Sequence, residues 1–154
     1  MKEQKMYPKE YCEWLSNLQS NAWSSVEKSY EYWLKKVKNN FRDITTFEKA
    51  CIWDNLNIDN FFILSETKDV VAYKKLRVII KAVNQGWTPD WTNKNQKKWF
   101  PYFEVLSSGL GFRDSHYGYT YTDTSVGSRL CFETSEKAEY AGKQFIKLYE
   151  DFLL

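Results

Sequence analysis

The segment Tyr117-Gly118-Tyr119-Thr120-Tyr121-Thr122 alternates a phenol ring with a small or hydroxyl-bearing residue. As a strand it sets Tyr117, Tyr119 and Tyr121 on one face, because successive side chains point to opposite sides of a sheet. Three rings in a row serve either as core, with hydroxyls reaching the rim, or as a stacking platform for bases. In the second case Arg113 and Arg129, on neighbouring strands, are placed to pair phosphates. For Arg129 that role competes with a structural salt bridge to Glu104, Asp114 or the last helix. A second feature is cationic. Between Lys68 and Lys98 eight basic residues stand against only Asp69 and Asp90, and Trp87, Trp91 and Trp99 are interleaved with them. Cationic and stacking groups on one surface are what single strands and nucleotides require. The plainer reading is a solvated helix face with aromatics in the core. The ligand-binding candidates are therefore Tyr117, Tyr119, Tyr121, Arg113, Arg129, Trp91, Trp99, Lys97 and Lys98.

Catalysis has thinner support. His116 is the only histidine, and Asp114, two residues before it, shares its strand face. An imidazole oriented by a carboxylate is a general base in search of a third member, which Ser128 or Cys131 would have to supply through the fold. A hydrogen-bonding or surface histidine is the simpler account, so no catalytic residue is assigned. Asp114, His116 and Arg129 together are the whole basis for a phosphate-ester enzyme. Pro89-Asp90 with Glu104 lacks the lysine two residues on that a metal-dependent nuclease needs, since that position is Leu106. Cys12, Cys51 and Cys131 are widely separated, with no CxxC pair, and read as reduced, mostly buried thiols. Gly109-Leu110-Gly111 lacks the third glycine of a dinucleotide fingerprint. No metal and no cofactor are expected.

These groups need elements to hold them. The chain has 154 residues, 18% of them aromatic and 27% charged, with a net charge of +2. That composition excludes disorder and fibre, and the length predicts a single domain, 1–154. Tyr11, Leu15, Leu18, Ala22, Val26, Tyr30, Trp33 and Val37 recur at helical spacing and predict a long amphipathic helix over about 9–39. Thr45 with Glu48 has the form of a capping box and predicts a short helix over about 46–54. Residues 55–65 read as a loop with room for a short strand. Ala72, Leu76, Ile79, Ile80 and Val83 predict a helix over about 67–84, stopped at Gly86. The period then changes to two, and runs at 98–106, 109–117, 117–122 and 128–133 predict a three- or four-stranded antiparallel meander over about 98–133. Thr134 caps a last helix predicted over about 135–152. The fold class is α+β: a helical part at about 9–54, then a helix-meander-helix part at 67–154, with the third and last helices on one face of the sheet.

Neither a secretory signal nor a membrane-length apolar run is present, so no membrane partner and a cytoplasmic location are expected. The C-terminal half carries one further pattern: Ala72-Tyr73-Lys74-Lys75-Leu76, Asn84-Gln85-Gly86-Trp87-Thr88-Pro89-Asp90-Trp91, Trp99-Phe100-Pro101-Tyr102-Phe103, and Val126-Gly127-Ser128-Arg129-Leu130-Cys131-Phe132 running into Ala138-Glu139-Tyr140-Ala141-Gly142-Lys143-Gln144-Phe145. This order, over about 69–154, resembles an uncharacterised family of proteins encoded by bacteriophages and prophages of gut bacteria. The resemblance implies a phage-associated setting, in the host cytoplasm or on the virion, and carries over no substrate or catalytic residue. The expected function is a non-enzymatic phage accessory protein that binds nucleic acid or a nucleotide-like anion, in a counter-defence role. The alternative is a structural or interaction protein that oligomerises, or binds a host protein, through the helix at 9–39.

Overall fold

The computed structural model describes residues 40–58, 65–119 and 129–154. The helix expected over 9–39, the centre of the 55–65 loop, and the Tyr121 position of the tyrosine run lie outside the described residues. Within them, the order is a single 3-10 turn at Phe41–Asp43, α1 (Phe47–Asp54), α2 (Lys68–Val83), β1 (Lys98–Leu106), β2 (Gly109–Gly118), α3 (Ser135–Gln144) and α4 (Ile146–Leu153). The class is α+β, as expected.

Each helix has a local cause. The cap of α1 is Thr46, whose hydroxyl accepts from the Lys49 N–H at 3.3 Å, one residue later than the expected Thr45. Thr45 instead holds the Lys49 amino group at 3.0 Å. Helix α2 buries Ala72, Leu76, Ile79, Ile80 and Val83, the stripe read from sequence. Its end is the expected glycine stop: Gln85 and Gly86 take φ of 54° and 83°, and the Gly86 N–H returns to the Lys81 carbonyl at 3.1 Å.

The last helix departs from expectation. It divides at Phe145 (φ −113°, ψ 26°), whose carbonyl accepts from both Leu148 and Tyr149 and so starts α4 afresh. No glycine or proline marks the break. Phe145 is buried in the core, and the division lets α4 present two sides: Phe152 stacks on Tyr73 of α2 at 5.6 Å, while Tyr149 meets Phe103 of β1 at 4.9 Å. Helix α4 is thus the layer between α2 and the hairpin. The sheet is covered by α3 and α4, and the chief neighbours of α2 are α1 and α4, not the sheet as expected.

The sheet among the described residues has two strands, β1 antiparallel to β2; of the further strands expected, the one over 117–122 lies mostly outside the described residues. The 128–133 run contributes one bridge, Phe132 to Trp99, closed by hydrogen bonds of 2.9 and 2.6 Å. Beside it the Cys131 carbonyl and the Glu133 N–H are bonded by the Asn84 side-chain amide, at 2.9 and 3.1 Å. A helix-end side chain stands where a longer strand ladder was expected. The hairpin register passes from Tyr102 opposite Asp114 to Phe103 opposite Phe112, so Arg113 is the extra residue of a β-bulge. Gly142 of α3 lets the helix lie close to this sheet, since a Cβ there would fall 2.7 Å from Phe112 and from Pro101.

Candidate functional site

The site is assembled at the C-terminal end of α2. Beyond the Gly86 stop the chain runs through Trp87-Thr88-Pro89-Asp90-Trp91, and polar side chains brace this loop from within. The Asp90 carboxylate accepts from the Thr92 N–H at 2.9 Å and the Thr92 hydroxyl at 2.7 Å, which hold its pKa below the usual carboxylate range. Its own N–H donates to Gln96 Oε1 at 2.7 Å. Lys98, 1% exposed, closes the loop from below: its Nζ donates to the Asn93 carbonyl at 3.1 Å and lies 5.3 Å from the Trp91 ring centre.

The Asn84 amide clamp brings residues 129–133 alongside. Between these parts lies a cleft of about 380 Å³, lined by Arg77 and Lys81 of α2, Trp87 and Trp91 of the loop, and Arg129, with Asn84 and Cys131 among the remaining walls. Arg77 and Lys81 stand four residues apart and so share a helix face. A second cleft of about 300 Å³, lined by Asp54, Lys74, Arg77, Val78 and Lys81, adjoins it through Arg77 and Lys81.

Charge is unevenly spent here. Lys81 is paired with Asp54 and Lys74 with Glu66. Arg77 touches the Tyr73 ring, at 6.0 Å, and neither Arg77 nor Arg129 has a carboxylate partner among the described residues. The negative end of the helix dipole would oppose an anion at this end of α2. That opposition is reduced because the last carbonyls are already occupied: Ile80, Lys81 and Ala82 accept from Asn84, Gly86 and Gln85. Two unspent guanidinium forks beside two indoles can chelate a phosphate and stack a planar ring. The Cys131 thiol in the wall is not a nucleophile, since burial pushes its pKa up to about 11.

Comparison with family models, with curated proteins and with solved structures finds no match to this chain. Functional inference rests on the geometry.

The residues singled out from sequence fall into two groups and an outlier. Trp91 and Arg129 line the cleft. Lys97, Trp99, Tyr117 and Tyr119 form a ladder at the open end of the hairpin: Lys97 Nζ lies 4.2 Å from the Tyr117 ring centre and 5.6 Å from that of Trp99. Trp99 and Tyr117 are 4.7 Å apart, and Tyr117 and Tyr119 meet edge-on at 5.6 Å. The Ser135 hydroxyl at the start of α3 lies 2.7 Å from that of Ser115, so Tyr117, two residues further on, passes beyond the helical cover. Tyr117 and Tyr119 are 44% and 39% exposed, which answers the core-or-surface question for these two rings. Lys98 is turned inward between the groups and supports the Trp91 loop. Arg113, on the bulge, pairs with Glu104 at 3.4 Å and joins neither group.

Arg77, Lys81 and Trp87 belong to the basic, indole-bearing stretch read from sequence but were not among the ligand-binding candidates, and they line the cleft. Their signal was the i, i+4 cation pair just before the glycine stop, with an indole just after it. His116 stacks on Tyr102 at 4.5 Å, and the Asp114 carboxylate bonds the Ser115 N–H, not the imidazole. Among the described residues no cluster of three His, Cys, Asp or Glu is set to hold a metal, and no helix is long and apolar enough to cross a membrane.

Proposed function

We propose that this chain is a non-enzymatic binder of a nucleotide-like anion, with the phosphate between Arg77 and Arg129 and the base against Trp87 or Trp91. One observation carries this reading: two guanidinium groups from distant parts of the chain converge, without carboxylate partners among the described residues, on a cleft walled by indoles. In the phage-associated setting that the C-terminal motifs resemble, such a protein would sequester a nucleotide of the host and so blunt a defence pathway. The ladder of exposed Lys97, Tyr117 and Tyr119 backed by half-buried Trp99 supports a second mode, stacking of single-stranded nucleic acid. Self-association through residues 9–39 rests on a segment outside the described residues.

Calorimetric titration with nucleoside mono- and triphosphates, cyclic dinucleotides and a short single-stranded DNA and RNA, at low and moderate salt, tests the reading. Arg77→Ala and Arg129→Ala are each expected to weaken nucleotide binding about tenfold to a hundredfold, the size of a lost charge-assisted hydrogen bond. Arg113→Ala leaves it unchanged. Binding of the oligonucleotides alone, with a steep salt dependence and sensitivity to Tyr117→Ala but not to Arg129→Ala, moves the function to the ladder. No binding of any of these at low salt overturns both modes.

A further inference from the structure

The anion cleft has a neighbour of different character. Helix α1 packs on α2 and brings Asp54, its last residue, against the basic face of α2. The result is the cleft of about 300 Å³ lined by Asp54, Lys74, Arg77, Val78 and Lys81. Arg77 and Lys81 also line the anion cleft, so the two clefts are joined across these side chains. One helical turn, about 6 Å, separates Arg77 from Lys81 along α2, which leaves room for two linked phosphates.

The two clefts differ in what their walls recognise. Three cations and two indoles line the first, and among the described residues no acid does. The second has no aromatic ring in its wall among the described residues, so it offers no platform for another base. Its charges are mixed and already matched, Lys74 with Glu66 and Lys81 with Asp54. A further phosphate there would meet the Asp54 carboxylate and gain little from paired cations. Donors and an acceptor side by side, next to the apolar Val78, suit hydroxyl groups instead.

Helix stability does not ask for Asp54, because an acid at the C-terminal end of a helix opposes the dipole. Its side chain is 15% exposed, and that surface opens on the second cleft. An ionised carboxylate has about four lone-pair sites, and Lys81 takes one of them. On the scale at which about 150 Å³ holds benzene, this cleft encloses about twelve non-hydrogen atoms, one sugar ring with its hydroxyls.

We propose that the ligand is a nucleoside diphosphate sugar. Its base stacks on Trp87 or Trp91, its diphosphate crosses between Arg129 and the Arg77–Lys81 pair, and its terminal sugar enters the second cleft with hydroxyls donating to Asp54. This rests on the reading of the first cleft as a nucleotide site and adds the class of nucleotide to it.

ADP, ATP and ADP-ribose, with UDP, UTP and UDP-glucose, make the test, each titrated calorimetrically into the full-length protein. For the base that binds, the sugar conjugate is expected to bind about tenfold more tightly than the bare diphosphate, the lower end of what a hydrogen bond to a charged group contributes. Asp54→Ala removes the acceptor and releases Lys81, so it is expected to tighten the diphosphate about twofold and to erase the advantage of the sugar. Equal weakening of both compounds in that variant overturns the assignment of Asp54. A diphosphate that binds as tightly as its sugar conjugate, or a triphosphate that binds more tightly than the conjugate of the same base, overturns the proposal and leaves the nucleotide reading of the first cleft standing. No binding of any of these compounds at low salt removes both.

Discussion

The anion cleft and an apolar cavity of about 250 Å³ between β1, β2 and α4 treat buried polar atoms in opposite ways. At the cleft, polar groups withdrawn from water are used to build the wall. Lys98 is spent on the Asn93 carbonyl and the Trp91 ring, and the Asn84 amide on Cys131 and Glu133. The groups left unspent, Arg77 and Arg129, are exposed cations that cost little to hold in water. At the cavity the walls are apolar, and the Tyr149 hydroxyl beneath them is buried with no hydrogen-bond partner among the described residues, which destabilises the fold. The first site is stable without its ligand. The second covers an unsatisfied hydroxyl.

Breaking the cleft wall should have the largest effect. Asn84→Ala removes both bonds of a 3%-exposed side chain and leaves the buried Cys131 carbonyl and the part-buried Glu133 N–H unpaired. It is expected to cost about 2–4 kcal/mol in urea denaturation and to abolish nucleotide binding with it. Next in size is an alkaline loss of stability. The Cys131 pKa is raised in the folded chain from 9.0 to about 11, so the folded state keeps its proton longer than the unfolded state does. The stability is complete below pH 9 and falls between pH 9 and 11, by on the order of 2 kcal/mol. A Cys131→Ala variant, compared with the parent over that window, should show a shallower decline; an unchanged decline would mean that the thiol is less buried than drawn. The smallest effect has the opposite sign. Tyr149→Phe removes the unpaired hydroxyl and should stabilise the protein by about 1 kcal/mol in urea denaturation.

Much of the local structure was legible in the sequence because its causes are local. The bounds of α2 follow from an apolar stripe and a glycine stop, and those of β1 and β2 from period-two runs around Ser107 and Ser108. Features set by distant contacts were not legible. The break at Phe145 is imposed by α4 having two neighbours, and the 128–133 run loses its ladder to an amide 47 residues away in sequence. The same holds for the site. Trp91 and Arg129 were readable as candidates, but their meeting with Arg77 depends on the Asn84 clamp, and Arg113 is sent elsewhere by a bulge that no residue type announces. Lys98 looked like surface charge because nothing in a lysine's neighbours says that its amino group will be covered. Tyr149 sits four residues after Phe145 on an ordinary apolar stripe, and a missing hydrogen-bond partner leaves no mark in sequence.

The bulge at Arg113 has a wider meaning for how this hairpin is written. Ahead of it in the chain, Leu110 packs on the core and Phe112 lies against Gly142 of α3; after it, Ser115 meets Ser135 of α3 and Tyr117 continues on the same face. The inserted residue is a phase shift in a two-letter code, changing which parity of position spells "inside". The two halves of the hairpin are therefore separate reading frames, one composing the exposed ring ladder and the other the wall of the apolar cavity. Each can drift in sequence without putting the other out of register.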